Sequence, residues 1–73
     1  MKTIYSKDHK KIVEQLKRAR KDAGLDQKEA AKLLKKTQSY ISKAESGQRR
    51  LDVVQLKAFG KIYKRDITYF LKA

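Results

Sequence analysis

The chain has 73 residues, 20 of them Lys or Arg against 8 Asp or Glu, for a formal charge of +12, and only 40% of it is apolar. That length is below the roughly 100 to 200 residues of an ordinary domain, so two domains are excluded and one core must offset an ordering cost of about 1.5 kcal/mol per residue. With no cysteine there is neither a disulfide framework nor a thiolate metal site, and the positive field favours polyanions or acidic membrane surfaces as partners.

No segment approaches the roughly 20 apolar residues of a spanning helix, and Met1 to Tyr5 lacks the apolar run of a secretion signal. A soluble, cytoplasmic protein is expected. Proline is absent and there is no Gly/Ser tract or internal repeat, so no linker is expected. The organisation expected is a short N-terminal arm over 1–8 and one folded unit over 9–73.

Ile12, Val13, Leu16, Ala19 and Ala23 recur at three- and four-residue steps and fall on one face of a first helix. Ser6 or Asp8 can cap its start, and Gly24 stands where a left-handed terminating residue is needed. Asp26 followed by Glu29 has capping-box spacing for a short second helix with Ala30, Ala31, Leu33 and Leu34 as its apolar face. Thr37 is an N-cap for a third helix from Gln38 to about Ser46, which Gly47 ends. On that helix Ile41, Ala44 and part of Tyr40 face inward, whereas Gln38, Ser39, Ser42 and Lys43 carry polar tips that cannot be buried cheaply. Asp52 with Gln55 opens a fourth helix whose apolar face is Val53, Leu56, Phe59, Ile62 and Tyr63, and Asp66 caps a fifth with Ile67, Phe70 and Leu71. No run alternates with period two, so the fold class is all-α, five short helices without a sheet.

These residues give little support to catalysis. His9 is the single histidine, and no carboxylate cluster has metal or acid/base spacing. The glycines Gly24, Gly47 and Gly60 are too far apart to form a phosphate-cradling loop, so neither a cofactor nor a metal is expected. A helix with a small inner face and short polar outer side chains, entered from a two-helix crossing, can lie in a DNA major groove about 12 Å wide.

The run Gln27-Lys28-Glu29-Ala30-Ala31-Lys32-Leu33-Leu34, with Thr37-Gln38-Ser39-Tyr40-Ile41-Ser42-Lys43-Ala44-Glu45-Ser46-Gly47, resembles the helix-turn-helix of Cro-like, lambda-repressor-like (Xre-type) DNA-binding proteins. In that family a Gln opens the first helix of the motif, a small residue packs at the crossing and a branched apolar residue anchors the recognition helix; Gln27, Ala31 and Ile41 hold those places. The run from Glu45 to Val53 is similar to the family's continuation, and the likeness covers roughly residues 9 to 72. It implies a lambda-repressor-like domain with helices two and three as the motif, and it makes Glu45 an internal salt-bridge partner of a basic residue on helix one or two. Three positions depart from the pattern. Lys35 stands where the turn usually has glycine, a left-handed conformation that costs an L-residue about 1 to 2 kcal/mol. Ala44 is smaller than the usual anchor, and Lys64 replaces a glycine between the last two helices.

The expected base contacts are Gln38, which can pair with adenine through its amide, Lys43, which can donate to guanine, and Ser39 and Ser42, which can donate or accept. Tyr40 either touches a thymine methyl or covers the core edge. Phosphate contacts are expected from Gln27 beside the free N–H groups of helix two, from Thr37 and Lys36, and from Arg49 and Arg50 after the recognition helix. Lys35 and the basic residues Lys10, Lys17 and Arg18 of helix one read as a solvated face, His9 as an exposed residue with no special task, and Gly60 as a site of close helix packing.

The functional expectation is a sequence-specific transcriptional regulator, a repressor, with double-stranded DNA as its partner and no enzymatic activity. It would be nucleoid-associated when bound. Symmetric binding calls for a homodimer, with half-sites roughly 34 Å apart and helix five (Tyr69, Phe70, Leu71) as the two-fold contact. Two alternatives stay open: an antitoxin or coactivator-like protein-interaction module of the same fold, and charge-driven binding of RNA or acidic membranes without sequence preference.

Overall fold

A computed structural model describes the backbone of residues 7–71, which form five α-helices and, among the described residues, no strand. They are α1 (Lys7–Asp22), α2 (Gln27–Leu34), α3 (Gln38–Glu45), α4 (Val53–Tyr63) and α5 (Ile67–Leu71). α1 already runs at Lys7, so Asp8 lies within the helix rather than capping it, and Ser6, the other expected cap, is outside the described residues.

Local chemistry sets the helix starts. Asp26 Oδ1 accepts from Glu29 N at 2.7 Å while Glu29 Oε1 accepts from Asp26 N at 2.9 Å. Asp52 and Gln55 repeat the reciprocal pair at 2.8 and 2.9 Å. Each arrangement satisfies amides that the first turn leaves without an intrahelical acceptor. Thr37 Oγ1 accepts from Tyr40 N at 3.1 Å, and Asp66 Oδ2 accepts from both the amide and the hydroxyl of Thr68. The hydroxyl first, then the amide, hold the Asp66 carboxyl below its ordinary range.

The helix ends share a second device. Gly24, Lys35, Gly47 and Lys64 all adopt left-handed backbone, with φ of 75°, 61°, 83° and 59°. The next amide then folds back to the last turn, as in Lys36 N to Ala31 O at 2.9 Å and Arg65 N to Gly60 O at 2.8 Å. The turn after α2 therefore keeps the geometry that glycine would give it, with a lysine in place.

The core is built by Leu16 and Ala19 of α1, Ala30 and Ala31 of α2, Ile41 and Ala44 of α3, Leu56, Phe59 and Tyr63 of α4 and Phe70 of α5. α2 packs on α3, α1 spans α3, α4 and α5, and α4 bridges α2 and α5. Alanines at the α2–α3 crossing let the two short helices approach closely, and Ala44 is fully buried despite its size. A Cβ on Gly60 would come within 2.4 Å of the Arg65 carbonyl, so the missing side chain is what lets the α4–α5 turn fold back onto α4.

Four apolar residues expected to face inward do not. Ala23 follows the end of α1 and is exposed, and Leu33, Val53 and Leu71 are more than half exposed. Each lies at or beside a helix terminus, so periodicity assigned a face but not a covering partner.

Candidate nucleic-acid interface

α3 is held from beneath. Ile41 and Ala44 are fully buried, and Glu45, only 5% exposed, points into the space between α1 and α2. There Arg20 Nε donates to Glu45 Oε2 at 2.6 Å and Nη2 to Oε1 at 3.1 Å, while Gln27 Nε2 donates to Oε1 at 3.1 Å. Arg20 Nη1 also donates to the Leu25 carbonyl at 3.0 Å. A planar fork facing a carboxylate fixes direction as well as distance, so this network sets how α3 is rotated on α1 and α2. The Glu45 hydrogen bond, ahead of its charge, raises the Arg20 pKa. Glu45 is thus the internal salt-bridge partner that the resemblance implied.

Rotation fixed in this way leaves Gln38, Ser39, Ser42 and Lys43 together on the exposed side of α3. The expected phosphate-contacting residues are distributed less simply. Gln27 is half-buried, with one amide N–H given to Glu45, so its side chain has one N–H left beside the first-turn backbone amides. Thr37 uses its oxygen as the cap of α3 and keeps a hydroxyl hydrogen to donate. Arg49 and Lys36 both gather at Tyr40, at 4.4 and 5.3 Å from the ring centroid. Arg50 is exposed on another side of the α3–α4 loop, where it borders a groove with Ile12, Leu51, Val53 and Leu71. Tyr40 is half-buried and stacks on Phe59 at 6.1 Å with 14° between planes, at the edge of the core.

Two features escaped the sequence reading. Lys28 and Lys32 line a shallow groove of about 440 Å³ between α2 and α3 together with Lys36 and Gln38. Their spacing of four residues, continued by Lys36, was the available signal, since it returns to one helix face. His9, expected to be exposed and idle, is half-buried, with Nε2 3.3 Å from the Gly47 carbonyl. A carbonyl only accepts, so that nitrogen donates and ties α1 to the end of α3.

A helix locked by its inner face, carrying polar tips outward and entered from a capped two-helix turn, is the arrangement of a helix-turn-helix. A helix-turn-helix family model matches residues 16–70. The chain belongs to the Cro-like, Xre-type helix-turn-helix family. No curated protein matches it. As a helix-turn-helix domain it is a DNA-binding module of the regulatory kind, with α2 and α3 as the motif and DNA as its partner class. Among the described residues, no helix is long and apolar enough to cross a membrane.

Proposed function

We propose that this domain is a sequence-specific transcriptional repressor that reads the major groove of double-stranded DNA with α3. Gln38, Ser39, Ser42 and Lys43 contact base edges. Gln27, Thr37, Lys36, Arg49 and Arg50 bind phosphates and set register. The observation that carries the reading is the division of α3 into an inner face clamped by the Arg20–Glu45–Gln27 network and an outer face of four exposed polar side chains. The short side chains of Ser39 and Ser42 admit close approach to the groove floor, the longer Gln38 and Lys43 reach across it, and donors and acceptors of mixed type discriminate base pairs. On this reading the protein acts in the cytoplasm, at the nucleoid when bound.

Binding to a palindromic operator pairs two copies. Phe70 is fully buried and unavailable for that contact, so the two-fold surface narrows to Leu71 and Tyr69 of α5 with Val53 beside the same groove as Leu71. Selection of binders from a random duplex library tests the whole reading. A preferred sequence that keeps its advantage at 150 mM salt supports it, with Gln38→Ala and Lys43→Ala relaxing preference at single positions. Affinity that tracks charge density alone, with no preferred sequence, overturns it in favour of charge-driven binding. A one-to-one complex on a palindromic site, measured by sedimentation, removes the dimer.

A further inference from the structure

Tyr40 is the meeting point of two cations that come from opposite sides of α3 in the chain. Lys36 belongs to the turn before the helix, with Nζ 5.3 Å from the ring centroid, and Arg49 to the loop after it, with Cζ at 4.4 Å. The ring that carries them is anchored, because it stacks on Phe59, itself 1% exposed. Among the described residues neither cation has a carboxylate partner within ion-pair distance, although Arg20 and Arg65 do. Among the described residues Arg49 Nε, shut off from solvent, has no hydrogen-bond partner. Two positive charges gathered at one ring without a counter-charge repel each other, and the arrangement gains most when an anion arrives.

We infer that Tyr40 is a positioning residue, a platform tied to the core that preorders Arg49 and Lys36 as a two-pronged receptor for a backbone phosphate at the flank of α3. This rests on the reading that α3 and its flanks bind duplex DNA. It assigns Tyr40 a task other than touching a base: the ring removes rotamer freedom from two long side chains before DNA arrives, so less is lost on binding. Stacking orients the guanidinium plane and leaves its terminal N–H groups to reach the phosphate in fork geometry. Tyr40 thereby raises affinity for every sequence and carries no sequence information itself.

The test measures dissociation constants of the full chain for a selected duplex and a scrambled one, over a range of salt. It compares wild type with Tyr40→Phe, Tyr40→Leu, Arg49→Gln and the double variant Tyr40→Leu/Arg49→Gln. Circular dichroism melts show that each is folded, and Tyr40→Met replaces the leucine variant if that one is not. Phe keeps the ring and should bind as wild type. Leu should weaken both duplexes equally, by about 3- to 10-fold, and lower the slope of log affinity against log salt by about 0.9, the value of one phosphate contact. In the Arg49→Gln background the same Leu substitution should change affinity by no more than about twofold, because the two residues act as one unit. Additive losses, or an unchanged salt slope in Tyr40→Leu, overturn the platform. A loss confined to the selected duplex makes the ring a base reader and also overturns it. If wild type shows no sequence preference, the reading of α3 as a specific reader fails, while the salt slopes on either duplex still decide the role of Tyr40.

Discussion

Lys35 and Lys64 close α2 and α4 in left-handed backbone at φ 61° and 59°, where the equivalent ends of α1 and α3 use Gly24 and Gly47. A side chain in that region costs about 1 to 2 kcal/mol because Cβ crowds the following carbonyl. Glycine removes the crowding but adds freedom to the unfolded chain, which returns about 0.4 to 1 kcal/mol. Lys35→Gly and Lys64→Gly should therefore each stabilise the domain by about 0.5 to 1 kcal/mol, and together by about 1 to 2, since the two sites close different helices. At this chain length about 1 kcal/mol corresponds to 4 to 8 °C in Tm. Removing a positive charge from a chain of net charge +12 also relieves repulsion, so Lys35→Ala and Lys64→Ala are the controls: they delete the charge and keep the Cβ. Gly24→Ala calibrates the strain, for no atom lies within 4 Å of the added carbon and φ is 75°; it should lose about 1 kcal/mol. Urea unfolding followed by far-ultraviolet circular dichroism, at constant m, measures the five single variants and the double glycine variant. Glycine variants that unfold at or below the wild-type midpoint, or alanine variants that gain as much as glycine, would refute the argument from backbone strain.

Gly60→Ala should cost more than any of these, about 3 kcal/mol or more, because the new Cβ meets a backbone oxygen at 2.4 Å rather than a flexible side chain; a melt within a few degrees of wild type would contradict it. Glu45→Ala leaves the partly buried Arg20 without its carboxylate and frees the Gln27 amide, a loss of about 3 kcal/mol that calorimetry should register as a fall in Tm of about 12 to 24 °C. Among the described residues the buried Tyr63 hydroxyl has no hydrogen-bond partner, so Tyr63→Phe should be neutral or stabilising by about 1 kcal/mol at pH 7. Burial foremost, then the Glu45 charge, pushes that phenol above its ordinary value, against the pull of Arg20. The folded state therefore keeps a proton that the unfolded chain releases, so this contribution is complete below about pH 10 and declines as pH rises further. Denaturation series above pH 10 should show wild type losing stability faster than Tyr63→Phe, and parallel curves would remove the assignment.

The starts of α2, α3 and α4 were legible residue by residue because capping is chemistry at a separation of three: Asp26 with Glu29, Thr37 with the Tyr40 amide and Asp52 with Gln55 need no distant partner. The outward set Gln38, Ser39, Ser42 and Lys43 followed from the same local periodicity once Ile41 and Ala44 marked the inner face. What lay beyond a single chain's pattern is whatever depends on contacts between elements. His9 meets Gly47 38 residues away and Gln27 meets Glu45 at a separation of 18, so the exposed role expected of the first yielded to a partner that only packing supplies, and packing likewise commits one amide N–H of the second. Arg49 and Arg50 are neighbours of one type, yet one lies on an aromatic ring and the other beside an apolar groove. Composition and spacing decide which surfaces can be charged or buried, because they act through hydration and local hydrogen bonds; the tertiary arrangement decides which side chains share a site, because that requires helices far apart in the chain to meet at a fixed rotation.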